Sequence, residues 1–480
     1  LSNYDAVVIG SGIGGLACGA FLADTGMRVL VLEKHTKIGG YAHNFKRRGF
    51  TFESGIHSVP MGPDGIMFDM LRKLGVADGL EPIELPEMYD ALCPNYRFTM
   101  PSSKDEIHRT LFDSFPDQRE GLERLFGDFA HFERFLIQPL AQLGDTFTEE
   151  DRDFVSRFHN RSYKDYISEF FSDSRARDAF FLQWPYGGIS ADRGAALFHV
   201  MMYYLHYRDG TYGLRGGFSR LAEALASAIT RNGGAVLTRR EVTSVETGEN
   251  RVRAVHTKQG ESFETDLVVS NISPYVLFGD LLDEAGKNRL WSRRLSNLSP
   301  SVSAVVVYLG MKPSSMDALR HTTFWFEDRD SHRIYERIQA NDKEHLDHLV
   351  LLKNDNDPDH PTLTLLNFTE ASLSNDWGKD KMVLGEKMLS LAEQIVPGIK
   401  KDIQVMEVGS PRTFERYTAN TDGALYGFEN TKTLYGEAKM PSNTHLTNLF
   451  QTGHWGKPGG GVWNVMVNAY YTFHRILRRG

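Results

Sequence analysis

The stretch Tyr4-Asp5-Ala6-Val7-Val8-Ile9-Gly10-Ser11-Gly12-Ile13-Gly14-Gly15-Leu16 decides how the chain is read. An apolar run breaks into glycines and resumes with helical spacing, which predicts strand, tight turn and helix. Gly10, Gly12 and Gly15 fit the G-x-G-x-x-G pattern. The first allows the turn, the second lets backbone approach a pyrophosphate, and the third lets the helix pack on the strand. The helix N-terminus, with free N–H groups and the positive end of its dipole, then faces the phosphates. Arg28-Val29-Leu30-Val31-Leu32 predicts a second strand ending in Glu33, at the spacing where an acid takes ribose hydroxyls. A glycine cluster between strand and helix can also be a mere packing turn, but strand, helix and acid agree here on a dinucleotide site. The pattern alone does not separate NAD from FAD.

Outward from this stretch, 480 residues are long for one compact unit and predict two or three. A composition 41% hydrophobic and 24% charged is that of an ordinary globular protein. The net charge of −8, without a long basic run, argues against nucleic acid as a partner. Cys18 and Cys93 are the only cysteines, which excludes a disulfide framework and a cysteine zinc site and fits a reducing compartment such as the cytoplasm. Histidines and acids show no ligand spacing, so no metal is expected, and no G-x-S-x-G hydrolase signature occurs. No apolar run reaches the roughly 18 residues of a membrane-spanning helix. With a strand expected from residue 4, no secretory signal is expected before it.

Residues 58–215 lose the strand–helix rhythm, become rich in phenylalanine and methionine, and read as an inserted, mostly helical cap. Phe126, Phe129, Phe132, Phe135 and Leu136 fall three or four apart and form one aromatic stripe on a helix. Phe198, Met201, Met202, Tyr203, Tyr204 and Leu205 form a second apolar cluster. Such clusters are ordinarily core; the sharper alternative is the wall of a lipid tunnel or a face lying on a membrane surface, a peripheral contact. Both readings stay open here.

The pattern then returns. Gly216-Gly217-Phe218-Ser219 starts a helix with Ser219 as the expected N-cap, Leu221, Ala224, Leu225, Ala228 and Ile229 as its buried face, and Gly233-Gly234 as its stop. Strands at 235–237, 241–246, 252–257 and 266–271 follow, with turns at Gly248 and Gly260. Between 273 and 410, strand candidates at 302–309, 322–327, 349–353, 362–368 and 403–408, with one helix at 381–396, predict an antiparallel sheet.

Three segments carry a family resemblance. Glu33-Lys34-His35-Thr36-Lys37-Ile38-Gly39-Gly40 resembles the extended fingerprint of flavoprotein amine oxidases and phytoene desaturases. Phe52-Glu53-Ser54-Gly55-Ile56-His57 resembles a run of retinol saturases and carotenoid isomerases. Leu449-Phe450-Gln451-Thr452-Gly453-His454-Trp455-Gly456-Lys457-Pro458-Gly459-Gly460-Gly461-Val462 is similar to the motif that, in desaturases and saturases, binds the FAD diphosphate and passes below the flavin ring. Ser410 to Tyr417 and Tyr426-Gly427 resemble the segment preceding that motif.

The resemblance implies FAD as cofactor, held by Gly10, Gly12, Gly14, Gly15, Glu33, Lys34, Gly39, Gly40, Gly55, Gly453, His454, Gly460, Gly461 and Val462, with Val242 meeting the adenine through its backbone. Where many relatives carry an acid after the first glycine of the last motif, this chain has His454. The implied fold class is α/β: a Rossmann-like FAD-binding domain from residues 1–57, 216–272 and 411–480, with an inserted α+β substrate domain from 58–215 and 273–410, an antiparallel sheet plus helical cap. The implied function is FAD-dependent oxidoreduction at carbon–carbon bonds, saturation or desaturation, of a long apolar polyene, carotenoid, retinoid or isoprenoid, with flavin-assisted cis-trans isomerisation as the alternative. An amine oxidase or a non-enzymatic prenyl-lipid carrier ranks below these. A single G-x-G-x-x-G leaves no NAD(P)H domain, so a separate electron donor or acceptor is expected. His57 is the candidate catalytic residue, since a histidine following a close-packed glycine can reach substrate or flavin with a pKa suited to proton transfer. A hydrogen-bonded structural histidine accounts for it equally well. Lys46, Arg47 and Arg48 read as a solvated turn.

Overall fold

The apolar runs of the first paragraph lie side by side. In the computed structural model, which describes residues 4–134, 148–313, 319–342, 345–354, 356–434 and 440–478, strand β1 (Ala6–Ile9) is followed by helix α1 (Ile13–Asp24) and strand β2 (Val29–Leu32). A five-stranded parallel sheet runs in the order Leu449–Gln451, Leu267–Ser270, β1, β2, Ala235–Leu237. Val8 pairs with Val269 on one side and Val31 on the other. Both β1 and β2 are buried on both faces, as a parallel sheet sandwiched between layers requires. One layer is α1 with the helices Ser219–Arg231 and Val462–Leu477 packed on it; Phe21 meets Tyr470 at a tilt and stacks on Phe473, at centroid distances of 5.1 and 5.6 Å. The other is an antiparallel meander, Val242–Gly248, Arg251–Thr257 and Ser262–Glu264. Its first turn places Glu249 and Asn250 both at positive φ, 55° and 61°, the geometry of a tight hairpin turn. The turn therefore sits one residue beyond the expected Gly248.

The helix from Ser219 forms, but Ser219 is its first residue and not its cap. Its hydroxyl instead accepts from Asn44 Nδ2 at 2.8 Å, and the N–H of Phe218, the residue at the cap position, donates to Glu53 Oε2 at 3.3 Å.

A second sheet has seven strands in the order Ile403–Gly409, Ser303–Met311, Thr362–Thr369, His348–Asn354, Thr322–Phe326, Glu87–Cys93, Tyr96–Pro101. Every pairing is antiparallel except that of Thr322–Phe326 with Glu87–Cys93. The last two strands come from the segment read as a helical cap, which also supplies the pair Pro82–Glu84 and Tyr212–Leu214. The reading of 58–215 as mostly helical missed this hairpin because its apolar residues alternate over too few positions to stand out among the phenylalanines. In the central strands, residues on one face (Val305, Val307, Leu309, Leu349, Leu351, Leu363, Leu365) pack against the helix Trp377–Ile395. The alternate residues form the opposite face.

The aromatic stripe is core. Phe129 and Phe132 are buried and Phe126 half-buried, in ring contact with Tyr203, Tyr204, Tyr207, Phe154, Phe158 and His108. Phe135 and Leu136 lie outside the described residues. Phe126, Phe129 and Phe132 thus face inward. Of the second cluster, only Met202 is half-buried and the rest is buried. Among the described residues no helix is long and apolar enough to cross a membrane.

Asn448 stitches the meander to the parallel sheet: its Oδ1 accepts from Val252 N at 2.7 Å, and its Nδ2 donates to Val252 O at 2.9 Å and to Asp266 O at 3.0 Å. Asn448→Ala leaves buried backbone groups unpaired and is expected to destabilise the protein by about 1–3 kcal/mol, read as a lower midpoint in urea unfolding.

Candidate active site

At the carboxyl ends of the parallel strands three segments distant in sequence converge on a point where side chains do not fit. Gly10 adopts φ +91° and donates from its N–H to Leu32 O at 2.9 Å. A Cβ on Gly14 would lie 2.7 Å from Gly453 Cα and 2.8 Å from Asn271 Oδ1; one on Gly453 would lie 2.2 Å from the same oxygen. Asn271, anchored by its N–H to Ile9 O at 2.9 Å, is wedged between the two glycine turns. The Glu33 carboxylate, at the end of β2, accepts from Ser11 N at 2.9 Å, Ser11 Oγ at 2.6 Å and His35 N at 2.7 Å.

This junction opens into a cavity of ≈ 410 Å³. Of the residues singled out in the sequence, Gly10, Gly12, Gly14, Glu33, Lys34, Gly39, Gly40, Gly55, His57, Val242, Gly453, His454, Gly461 and Val462 all line it. Gly15 and Gly460 do not. They serve packing, since a Cβ on Gly15 would lie 2.3 Å from Gly10 O and one on Gly460 2.8 Å from Tyr426 Cα.

The nucleotide end is charged. Lys34 is half-buried among Glu33, Glu241 and Glu415, and burial pulls its ammonium below the usual lysine range against the raising effect of those acids. His454 bonds through Nε2 to Asn420 Oδ1 at 3.1 Å, so the residue that departs from the resembled pattern is tied to the loop after the helix Pro411–Thr418. The 16-residue helix Val462–Leu477 starts at the wall, and Gly461 precedes it at φ +101°. Its free N–H groups and dipole favour electron density there.

The far end is apolar. Sheet register aligns Phe324 with Val350, Val350 with Leu366, and Leu366 with Val306, one row across four strands. With Leu352 and Phe368 this row forms the wall opposite the glycines. Tyr186 and Tyr426 add rings; Tyr426 donates to Pro185 O at 2.7 Å. His57 lines the same cavity, and burial pushes its imidazole down to about 4. It is neutral at physiological pH, not poised near it as the sequence reading expected. Neither Cys18 nor Cys93 lines the cavity, so no thiol is placed to attach a flavin.

Asn271, the apolar row and the two tyrosines escaped the sequence reading. A signal for the row was present: strands apolar on both faces imply that the second face meets something apolar too. Asn271, at the end of a predicted strand beside the first glycine motif, carried no signal of its own.

A glycine-walled groove at the point where strand order reverses, closed by an acid at one end and by an apolar sheet at the other, fits FAD and is the architecture of an FAD-dependent oxidoreductase. The chain belongs to the flavin containing amine oxidoreductase family, which it matches over residues 13–455. It is 27% identical over 500 residues to "All-trans-retinol 13,14-reductase" of Rattus norvegicus, covering 94% of this chain and 82% of that protein. It is 25% identical over 521 residues to "Prolycopene isomerase 2, chloroplastic" of an Oncidium hybrid cultivar, covering 99% and 84%. In fold it is similar to the crystal structure of an oxidoreductase from Methanosarcina mazei, with TM-score 0.64 at 17% identity over 98% of this chain and 99% of that one.

Glu33→Gln keeps the shape but removes the charge that three donors address and that ribose hydroxyls require. It is expected to weaken FAD retention at least about tenfold, or ~1.4 kcal/mol, measured by equilibrium dialysis, with the far-ultraviolet circular dichroism unchanged.

Proposed function

We propose that this protein is an FAD-dependent reductase of a carbon–carbon double bond in a long apolar polyene. The observation that carries the reading is the wall formed by Val306, Phe324, Val350, Leu352, Leu366 and Phe368 opposite the glycine groove. An amine cation held there would lose its hydration with no carboxylate in that row to replace it, a cost of several kcal/mol. A conjugated hydrocarbon loses nothing polar and gains about 25 cal/mol for each Å² buried. The names of the retinol and prolycopene relatives point to the same substrate class.

In this reading residues 1–57, 216–272 and 411–480 hold the cofactor and the remainder shapes the substrate end. Glu33 accepts the ribose hydroxyls, Gly10, Gly12 and Gly14 with Gly453 admit the diphosphate, Val242 meets the adenine through its backbone, and Gly461 and Val462 present the helix N-terminus to the flavin. Bound there, FAD supplies hydride exchange with a substrate carbon. The sheet wall orients the polyene and excludes water. Electrons come from a separate donor, since the chain has one dinucleotide motif. The isomerase relative keeps a second reading in view: the same bound geometry with no net redox change.

The test is anaerobic incubation of FAD-loaded, dithionite-reduced protein with all-trans-retinol, all-trans-lycopene and prolycopene, and of the oxidised protein with putrescine and cyclohexylamine, followed by mass spectrometry. The expected product is a polyene heavier by two hydrogens and no oxidised amine. A product of unchanged mass installs the isomerase reading. Amine oxidation without polyene turnover overturns both.

A further inference from the structure

Beside the main cavity lies a smaller one of ≈ 180 Å³. His57 and Thr322 line both, so the two spaces meet at the histidine. The small cavity also holds the carboxyl group of Glu53, which is 6% exposed. That carboxyl accepts one hydrogen bond, from Phe218 N to Oε2 at 3.3 Å. It occupies the space a side chain would fill at Gly217: a Cβ there would lie 1.9 Å from Glu53 Oε1, and Gly217 sits at φ +85°. The glycine pair before the helix thus serves to admit a buried acid. The other titratable groups facing this space are Glu84 on Pro82–Glu84, His321 before Thr322–Phe326, and Lys353 on His348–Asn354. The volume is well above the ~15 Å³ that one water molecule requires.

We propose that Glu53 and His57 form a proton route from the small cavity into the flavin-side cavity, with Glu53 as the store and His57 as the group that meets the substrate. The proposal rests on the reading of this protein as a polyene reductase. Saturation breaks a carbon–carbon π bond and forms two C–H bonds. The hydride, with its electron pair, comes from reduced FAD, which is oxidised and is reduced again by an external electron donor. The second hydrogen is a proton: as it leaves the N–H of His57 for the neighbouring carbon, the other ring nitrogen accepts one from Glu53 through water in the small cavity, so the ring stays neutral in its other tautomer, and the carboxylate is reprotonated from solvent. Burial raises the Glu53 carboxyl to about 8 and lowers the His57 ring to about 4. Between those values Glu53 carries its proton, and His57 is a neutral ring with one N–H and one acceptor nitrogen, the state that can pass a proton through. Above about 8 the store is empty.

Two measurements on the FAD-loaded protein test this. The first needs no substrate: the infrared band of a protonated carboxyl is followed from pH 5 to 10 in the wild type and in Glu53→Gln. The expected result is a band lost in the variant and titrating in the wild type with a midpoint near 8. If the two proteins show the same bands at neutral pH, Glu53 is ionised there and the route is overturned, whatever the substrate. The second is single turnover of the dithionite-reduced protein with all-trans-retinol as probe. The wild-type single-turnover rate is expected to fall as pH rises through about 8, and Glu53→Gln to lower the limiting rate about 100-fold with the half-saturating retinol concentration unchanged and the pH dependence gone. Glu53→Asp is expected to restore part of both, and His57→Asn to reproduce the loss. A wild-type limiting rate and pH profile in Glu53→Gln overturn the proposal. A wild type that saturates no polyene while the carboxyl band behaves as expected overturns the polyene reading and, with it, this use of the proton.

Discussion

The approach of backbone to backbone where Gly14 meets Gly453 governs the molecule. A Cβ on Gly14 would lie 2.7 Å from Gly453 Cα, and one on Gly453 would lie 2.2 Å from the Asn271 oxygen that fills the remaining gap. This contact brings residues more than four hundred positions apart into one wall and leaves the helix N-termini beside it. Everything charged about the nucleotide end, including the Glu33 carboxylate with its three donors, is arranged around that closure.

The second constraint is the pleat of the seven-stranded sheet. Side chains alternate between faces, so a strand such as Ser303–Met311, buried at every position, must have an apolar partner on each side. One partner is the helix Trp377–Ile395. On the other side Ala304, Val306 and Tyr308 pack with Phe50, Phe52 and Phe414, and Val306 also ends the row from Phe324 that lines the cavity. In the proposed reading, substrate preference follows from this wall and not from the glycine groove. The same sheet reaches the small cavity through Thr322 and Lys353, and Glu53 reaches it from the end of the strand Phe50–Glu53, which pairs with Asn44–Arg47 in a sheet of its own.

Much of the parallel sheet and most of its glycine wall were legible in the sequence, because Gly10 and Gly453 follow strand ends and their neighbours have unmistakable periods. The helical cap was legible only in part. The hairpin Glu87–Cys93 and Tyr96–Pro101 joins a sheet whose other strands lie more than two hundred residues later, a long-range pairing that no local pattern announces. The aromatic stripe through Phe129 and Phe132 left core and lipid contact open because both demand the same residues; only its packing on Tyr203 and Tyr204 distinguishes them. His57 was legible as a cavity residue but not in the downward shift that burial gives its imidazole, and Glu53 passed unnoticed inside a quoted motif because its place depends on the absent side chain of Gly217.

The most direct check of the account is stopped-flow absorbance of the flavin when the anaerobically reduced protein meets all-trans-retinol. Stoichiometric recovery of the oxidised flavin spectrum, with one double bond saturated for each flavin, is the predicted result. A flavin that stays reduced while the polyene is consumed or isomerised would contradict it.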